Sequence, residues 1–283
     1  SFHSVSHPTM STPSFFQGKS VIVTGSSNGI GRETARMFAE KGAKVTITGR
    51  NLETLQKTKE LCIESGAKAD DILEIIADLE AEDTPKRLIN ETVERFGGID
   101  ILVNNAGMAL ADPQGRTGMD VPIEVFDRTM NVNTRSILLL TTLAVPHLEK
   151  TKGAVVNVSS IVAQPFGYTE LAYAISKSAL DQLTVQMATR LILKGIRVNS
   201  VNPGLVATDI VRKMGVPEEV EKGLFALGQH KAMVPLGRVG EPADIGKFIL
   251  FLADRSQSEF IVGQRMLIDG GSSLKNNLLS MGQ

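Results

Sequence analysis

The sequence predicts an α/β fold, a single doubly wound sheet of seven mainly parallel strands with helices on both faces, and three observations predict it. Short runs of β-branched and aliphatic residues recur from residue 19 onward without polar alternation, the pattern of strands covered on both faces. Longer stretches with apolar residues at helical spacing lie between them. No repeat, heptad array or low-complexity linker interrupts the alternation, and strict strand–helix alternation with right-handed crossovers builds one parallel sheet.

The first strand, 20–24, runs into the glycine-rich turn Thr24-Gly25-Ser26-Ser27-Asn28-Gly29-Ile30-Gly31 and a helix over 32–40. The second, 44–48, ends in Thr48-Gly49-Arg50 and leads to a helix over 52–64 that holds the sole cysteine, Cys62, as a small apolar residue. Strand 72–76 precedes a helix over 82–96. Strand 99–103 precedes an irregular stretch, 108–122, with Pro113, Gly115, Gly118 and Pro122, and then a long helix over 124–150. Strand 154–158 leads to a helix over 171–193, and strand 197–201 to a second irregular stretch, 205–240. A helix over 242–253 and strand 265–268 complete the set. Ligands of open α/β sheets bind outside the carboxyl ends of the strands, where both irregular stretches begin. Long loops of a compact domain are commonly functional.

Composition narrows the function classes. With 42% hydrophobic and 22% charged residues the chain has an ordinary globular makeup. A formal net charge of -1 removes any global attraction to nucleic acid or an anionic membrane, so neither is an expected partner. One cysteine forms no intramolecular disulfide, which suits a reducing, cytoplasmic setting. The histidines His3, His7, His147 and His230 have no ligand spacing with one another or with Cys62, so no metal is expected. The longest apolar run, 137–145, is broken by Thr141 and Thr142 and is too short to span a bilayer. Residues 1–17 read as a disordered leader or an expression remnant, without a signal-peptide or mitochondrial pattern, and 18–283 as one domain; Met10 is a candidate start. The formal sequon Asn157-Val158-Ser159 falls in a strand read as buried and is discounted.

The glycine turn follows a strand and opens a helix, the context of a dinucleotide site. Gly25 allows the sharp turn, Gly29 lets the backbone approach a pyrophosphate, and Gly31 permits close packing. The helix N-terminus from Ile30 offers N–H groups and a positive dipole end to the phosphates. An acidic residue closing the second strand would accept ribose hydroxyls and repel a 2′-phosphate. Arg50 stands there instead, a guanidinium suited to phosphate, so NADP(H) is preferred while NAD(H) remains compatible. Asn28 occupies a position where a second basic residue would strengthen that preference.

Tyr173 and Lys177 stand four apart on one helix, so they share a face and the cation can favour the phenolate. A phenol titrates near 10; bringing it to neutrality takes about three units, roughly 4 kcal/mol. Tyr168, the other tyrosine, has no lysine four residues on and reads as pocket lining.

With these residues in hand, the chain resembles a short-chain dehydrogenase/reductase across 18–273, and 48–51 is similar to the tropinone-reductase-like, NADP-preferring branch. The motifs that carry the resemblance are the glycine turn, Asn104-Asn105-Ala106-Gly107, a central-helix asparagine, a serine thirteen residues before the tyrosine, Tyr173-x-x-x-Lys177, Asn202-Pro203-Gly204 and Asp269-Gly270-Gly271. The resemblance implies a Rossmann fold and hydride transfer between a ketone and a secondary alcohol, a carbonyl-reductase type of oxidoreductase. It implies that Tyr173 is the general acid/base, that Lys177 lowers its pKa and binds the nicotinamide ribose, and that Ser160 bonds the substrate oxygen, with Ser159 its rival by composition. Asn133 aligns as the asparagine whose backbone holds a water near the lysine, and Asn131 is the alternative.

Cofactor contacts implied in the same way are Gly25, Ser27, Asn28, Gly29, Ile30, Gly31 and Arg50; Asp78 and Leu79 at the adenine; Asn105, Ala106 and Gly107 at the ribose; Tyr173 and Lys177; and Pro203, Gly204, Val206 and Thr208. Asn104 reads mainly as a buried amide tying strands together. Val162, Pro165, Phe166 and Tyr168, with Val206, Met214, Leu224, Phe225 and Met233, make an apolar lining that suits a hydrophobic ketone or alcohol better than a sugar, although several of them could equally serve to pack the loop. Two alternatives stand beside this reading: a 3-oxoacyl thioester reductase and a non-catalytic NADP(H)-binding regulatory protein. The helices over 124–150 and 171–193 are family dimerisation elements, which implies a homotetramer or homodimer. Leu274, Leu278, Leu279 and Met281 are read as docking on a neighbour or as a frayed tail.

Overall fold

The computed structural model describes residues 14–110, 112, 114, 116, 118–164, 170–213 and 217–274. Its strands are β1 (Ser20–Val23), β2 (Lys44–Gly49), β3 (Ile72–Ile76), β4 (Ile101–Asn104), β5 (Ala154–Val158), β6 (Arg197–Pro203) and β7 (Arg265–Ile268). All pair parallel, in the order β3-β2-β1-β4-β5-β6-β7. The order reverses between β1 and β4, and that reversal opens a crevice at the carboxyl edge of the sheet.

Alternate residues of each strand enter opposite faces, because strand side chains repeat every two residues. Val21, Val23, Val45 and Ile47 pack with Phe38 of α1 (Gly29–Glu40), Leu55 and Cys62 of α2 (Leu52–Glu64), and residues of a helix late in the chain. Ile22, Leu102, Val155 and Val198 face the other way, onto Leu88 of α3 (Thr84–Phe96) and onto two longer helices. Burial on both faces explains why these strands are continuous apolar runs. Cys62 behaves as a small core residue: burial pushes its thiol up to about 12.

The stretch expected as one helix over 124–150 is interrupted. It comprises α4 (Ile123–Met130), a π-helical segment Asn131–Arg135, and α5 (Ser136–Thr151), with Ser136 N donating to the Asn131 carbonyl. An inserted residue shifts the phase of the helix locally, and apolar spacing over 27 positions averages that shift away. The next helix, α6 (Leu171–Leu191), ends in a short 3-10 turn, Ile192–Lys194, so only the last residues of the expected span leave α-geometry. The stretch 205–240 is not purely irregular either, since it carries α7 (Ile210–Lys213) and α8 (Glu218–Gly228), and its two ends are joined by the bridge Val206↔Gly240. α9 (Pro242–Ala253) follows, and Ile245 and Ile249 complete the first face of the core.

Residues 14–17, placed by the sequence reading outside the domain, pack on it: Phe16 is 5% exposed and meets Phe38 edge to face at 5.1 Å, while Lys19 Nζ lies 4.8 Å over the Phe15 ring. The paired aromatics were the available signal. Asn157 is buried and donates to Thr184 Oγ1 at 2.9 Å, in keeping with discounting the sequon. Among the described residues no helix is long and apolar enough to cross a membrane, and no group of His, Cys, Asp and Glu could hold a metal. Leu274 is exposed; Leu278, Leu279 and Met281 lie outside the described residues.

Candidate active site

The crevice at the strand-order reversal is a cleft of about 400 Å³. Its first wall is the turn after β1. Gly25 adopts φ 64°, and a Cβ there would stand 2.8 Å from Ala106 Cα, so this turn presses directly on the segment after β4. A Cβ on Gly31 would fall 2.4 Å from the Gly25 carbonyl oxygen, so the first turn of α1 closes on the glycine turn itself. Thr24 Oγ1 accepts from the backbone N–H groups of Asn105 and Ala106, both at 3.0 Å, and Asn105 Nδ2 donates to the carbonyls of Thr24 and Gly25 at 2.8 and 3.1 Å. The Asn105 side chain therefore fastens β1 to β4, a structural duty the motif alone did not disclose. Asn28, just before α1, makes no side-chain cap, and the first turn of α1 holds no acidic residue, so its positive end stays available to an anion.

At the end of β2, Arg50 is exposed, lines the cleft and has no hydrogen bond or ion pair among the described residues. Its acidic neighbour Glu80 is already engaged by Arg128, at 2.8 and 3.0 Å, and that bidentate pairing holds the Glu80 carboxyl below its usual range. Asp78 and Leu79 line the same end, with Asp78 Oδ1 accepting from Glu80 N at 3.0 Å.

The opposite end is built by β5 and α6. Lys177 is 3% exposed, donates from Nζ to the Val158 carbonyl at 2.8 Å, and lies 5.7 Å from the centroid of the Tyr173 ring. Burial draws its ammonium down to about 8, opposed by the charge of Asp181. Ser160 is 7% exposed, lines the cleft, and accepts from Val162 N at 3.3 Å. Ser159 lines the cleft as well, but its hydroxyl is engaged with α6, donating to the Lys177 carbonyl at 3.2 Å.

Asn133 is fully buried beneath this end. Its Oδ1 accepts from Met108 N at 2.8 Å, and its Nδ2 donates to Met108 O at 2.8 Å and Ser176 Oγ at 2.9 Å. A Cβ on Gly107 would meet Lys177 Nζ at 3.3 Å and Asn133 Oδ1 at 3.4 Å, so this asparagine and the lysine flank one glycine. Asn131 sits elsewhere, reaching the Glu80 carbonyl at 3.5 Å. Asn104 is a buried amide, donating to Asn157 Oδ1 of the neighbouring strand at 2.9 Å and to Thr141 Oγ1 of α5 at 3.3 Å.

All the residues named as cofactor contacts line the cleft, as do Ser160, Val162, Leu224 and Met233; Asn133 stands behind it. Phe225 does not line it, since the turn of α8 that brings Leu224 inward carries Phe225 to another face. Pro165, Phe166, Tyr168 and Met214 lie outside the described residues. Lining residues the sequence did not single out include Met108, Ala109, Ile161, Leu205 and Ile210. Their one signal is position, on the segments that follow the carboxyl ends of β4, β5 and β6. Asn28 Nδ2 also donates to Asp209 Oδ2 at 3.1 Å, tying the glycine turn to the later loop.

A family model described as enoyl-(acyl carrier protein) reductase matches residues 25–273. The chain belongs to the short-chain dehydrogenase/reductase family. A short-chain dehydrogenase/reductase of unknown function from Caenorhabditis elegans, solved with cofactor, is 46% identical and superposes with a TM-score of 0.90 over 92% of this chain and 97% of that one. A glucose dehydrogenase of the same organism, in the apo-form, is 42% identical with a TM-score of 0.76 over 92% and 99%. A 3-oxoacyl acyl-carrier-protein reductase of Thermotoga maritima is 34% identical over 261 residues, 90% of this chain and 98% of that protein. The present short-chain dehydrogenase/reductase is accordingly an NAD(P)-dependent oxidoreductase acting on CH–OH groups, in a family that is typically oligomeric and uses small-molecule substrates. Its residues fit a nicotinamide dinucleotide: the turn at Gly25 and Gly31 leaves no room for Cβ atoms, the α1 N-terminus is uncapped by side chains, and the exposed Arg50 lines the cleft without a hydrogen bond or ion pair among the described residues.

Proposed function

We propose that the protein interconverts a ketone and a secondary alcohol on an apolar small molecule, prefers NADP(H), and uses Tyr173 as general acid/base. The observation that carries this reading is the convergence of Tyr173, buried Lys177 and Ser160 at one end of a cleft whose far end presents Arg50. A cation excluded from water one helical turn from a phenol favours the phenolate, so Tyr173 can return or take a proton at the substrate oxygen near neutral pH. Ser160 Oγ stands on the same wall and supplies a second hydrogen bond to that oxygen as charge develops there. Asn133, bonded twice to Met108 and once to Ser176, keeps the segment after β4 seated beside Lys177. The nicotinamide, when bound, supplies or accepts the hydride. Arg50 would meet a 2′-phosphate, and the α1 N-terminus the pyrophosphate.

The substrate end supports an apolar molecule, because among the described residues Met108, Ile161, Val162, Leu205, Leu224 and Met233 line the cleft with Ser160 and Tyr173. A sugar would leave its hydroxyls facing these groups without partners. The test is a panel of cyclic and aromatic ketones and alcohols, 3-oxoacyl thioesters and glucose, each with NADPH or NADH and their oxidised forms. Fastest turnover of an apolar ketone with NADPH is the expected result. Glucose with NAD as the best pair would refute both the substrate class and the cofactor preference.

A further inference from the structure

Lys177 is a buried cation whose hydrogen-bond acceptor, the Val158 carbonyl, is neutral. Removing an ammonium from water is unfavourable unless another charge compensates it. One turn further along α6, and so on the same helix face, Asp181 is also only 3% exposed, and the reaction as derived does not employ it. The Asn202 amide of β6 joins this carboxylate to the substrate side of the site. Its Nδ2 reaches both Asp181 oxygens, at 3.0 and 2.8 Å, and the Ser160 carbonyl oxygen at 3.1 Å, while its Oδ1 accepts from Ser200 Oγ at 3.0 Å. Two amide hydrogens therefore serve one carboxylate and one carbonyl, and every polar position of Asn202 is occupied. The Ser159 hydroxyl, which donates to the Lys177 carbonyl at 3.2 Å, also favours the ionised form of Asp181.

We propose that Asp181 is a positioning residue: as a buried counter-charge it keeps Lys177 cationic, and through Asn202 it fixes the turn that presents Ser160. The proposal rests on the acid/base reading of Tyr173 and Lys177. Among the described residues Asp181 is the charge that acts on Lys177, and Tyr173 is the other titratable group on that face of α6. The other elements packed on α6, namely β6, α4 with Glu124, Asp127 and Arg128, the 3-10 turns Ile161–Ala163 and Ile192–Lys194, and the segment Asn131–Arg135, bring no charge to bear on Lys177. Asp181 itself faces Lys177 and, from β7, Arg265; burial holds its carboxyl above the ordinary carboxylate range, opposed by Ser159, by the Asn202 hydrogen bonds and by both cations.

The test reads protonation directly. In the full chain labelled with 13Cε-lysine, the Lys177 resonance is assigned by its loss in Lys177→Arg and titrated in the wild type and in Asp181→Asn. Loss of the counter-charge is expected to lower the Lys177 midpoint by about one unit or more. An unmoved midpoint overturns the proposal. Should Asp181→Asn fail to fold, the Asp181 13Cγ shift of the wild type decides: a carboxylate ionised at pH 7 that senses deprotonation of Lys177 supports the role, and a carboxyl still protonated at pH 7 defeats it. Full turnover by Tyr173→Phe would sink the acid/base reading whatever Lys177 does, whereas an unmoved Lys177 midpoint beside an inactive Tyr173→Phe would sink only the role of Asp181.

Discussion

The two ends of the cleft are built on opposite principles. At the glycine turn, backbone meets backbone: Cβ atoms on Gly25 or Gly31 would fall 2.8 and 2.4 Å from main-chain atoms, and Thr24 and Asn105 lock the ends of β1 and β4 together. At the substrate end the walls are side chains, Leu205, Leu224 and Met233 among them, carried on a stretch whose two ends are joined to each other by the Val206↔Gly240 bridge. A wall of backbone tolerates no change of residue, while a wall of unbranched or γ-branched side chains can be reshaped one residue at a time. The fixed end suits a cofactor common to many reactions and the adjustable end a particular substrate.

Substitutions at the two ends should therefore differ in kind. The largest effect is expected at Gly31→Ala, where the added methyl strikes the Gly25 carbonyl and Asn105 Nδ2: NADPH affinity, followed by cofactor fluorescence, should fall by about a hundredfold or more. Near-normal affinity would mean that the turn is not the rigid wall described.

Lys177 sharpens the contrast, because its burial stores an electrostatic penalty at the chemical end. Its amine is held down to about 8, against 10.5 for a free lysine. Below about 8 both the folded and unfolded chains carry the proton, and the full penalty weighs on the fold. Between about 8 and 10.5 the folded chain has released it and the unfolded chain has not, so folding becomes relatively more favourable as pH rises. Across that window the stability of the wild type should gain about 3 kcal/mol on that of Lys177→Met in denaturant titrations. A constant difference would show that Lys177 is not held in a desolvated site.

Arg50 lies between the extremes, a side chain at the cofactor end. Arg50→Asp should lower the preference for NADPH over NADH by about 10-fold to 100-fold, the worth of one or two charge-assisted hydrogen bonds, read from the ratio of kcat/KM values. The smallest effect is expected in the adjustable wall. Leu224→Ala should raise KM for an apolar ketone by about tenfold with less change in kcat, and Phe225→Ala, one position on and outside the cleft, should leave KM unaltered. Equal effects of the pair would mean that α8 presents a different face.

The same division governs what could be read from the chain. Strands 72–76, 154–158 and 265–268 and helices 52–64 and 242–253 were legible to the residue, because two-sided burial and helical periodicity leave unbroken patterns. The cofactor wall was legible because closely approaching backbones demand glycine at set positions, and glycine is visible in sequence. The spacing to Tyr173 singles out Ser160 over Ser159, and the structure adds what spacing could not: both residues line the cleft, but the Ser159 hydroxyl bonds the Lys177 carbonyl. The π-helical segment at Asn131–Arg135 left no periodic trace, and α8 was hidden among the glycines and prolines of 205–240. Asp181 and Asn202 drew no notice as a pair because nothing in a sequence announces that residues 21 positions apart share a hydrogen bond.

The most direct test of the central claim is Tyr173→Phe, with NADPH binding and ketone turnover measured on the same preparation. Cofactor affinity close to that of the wild type, together with a loss of kcat of about 100-fold to 10,000-fold, is the predicted result. Turnover that survives removal of that single hydroxyl would contradict the account.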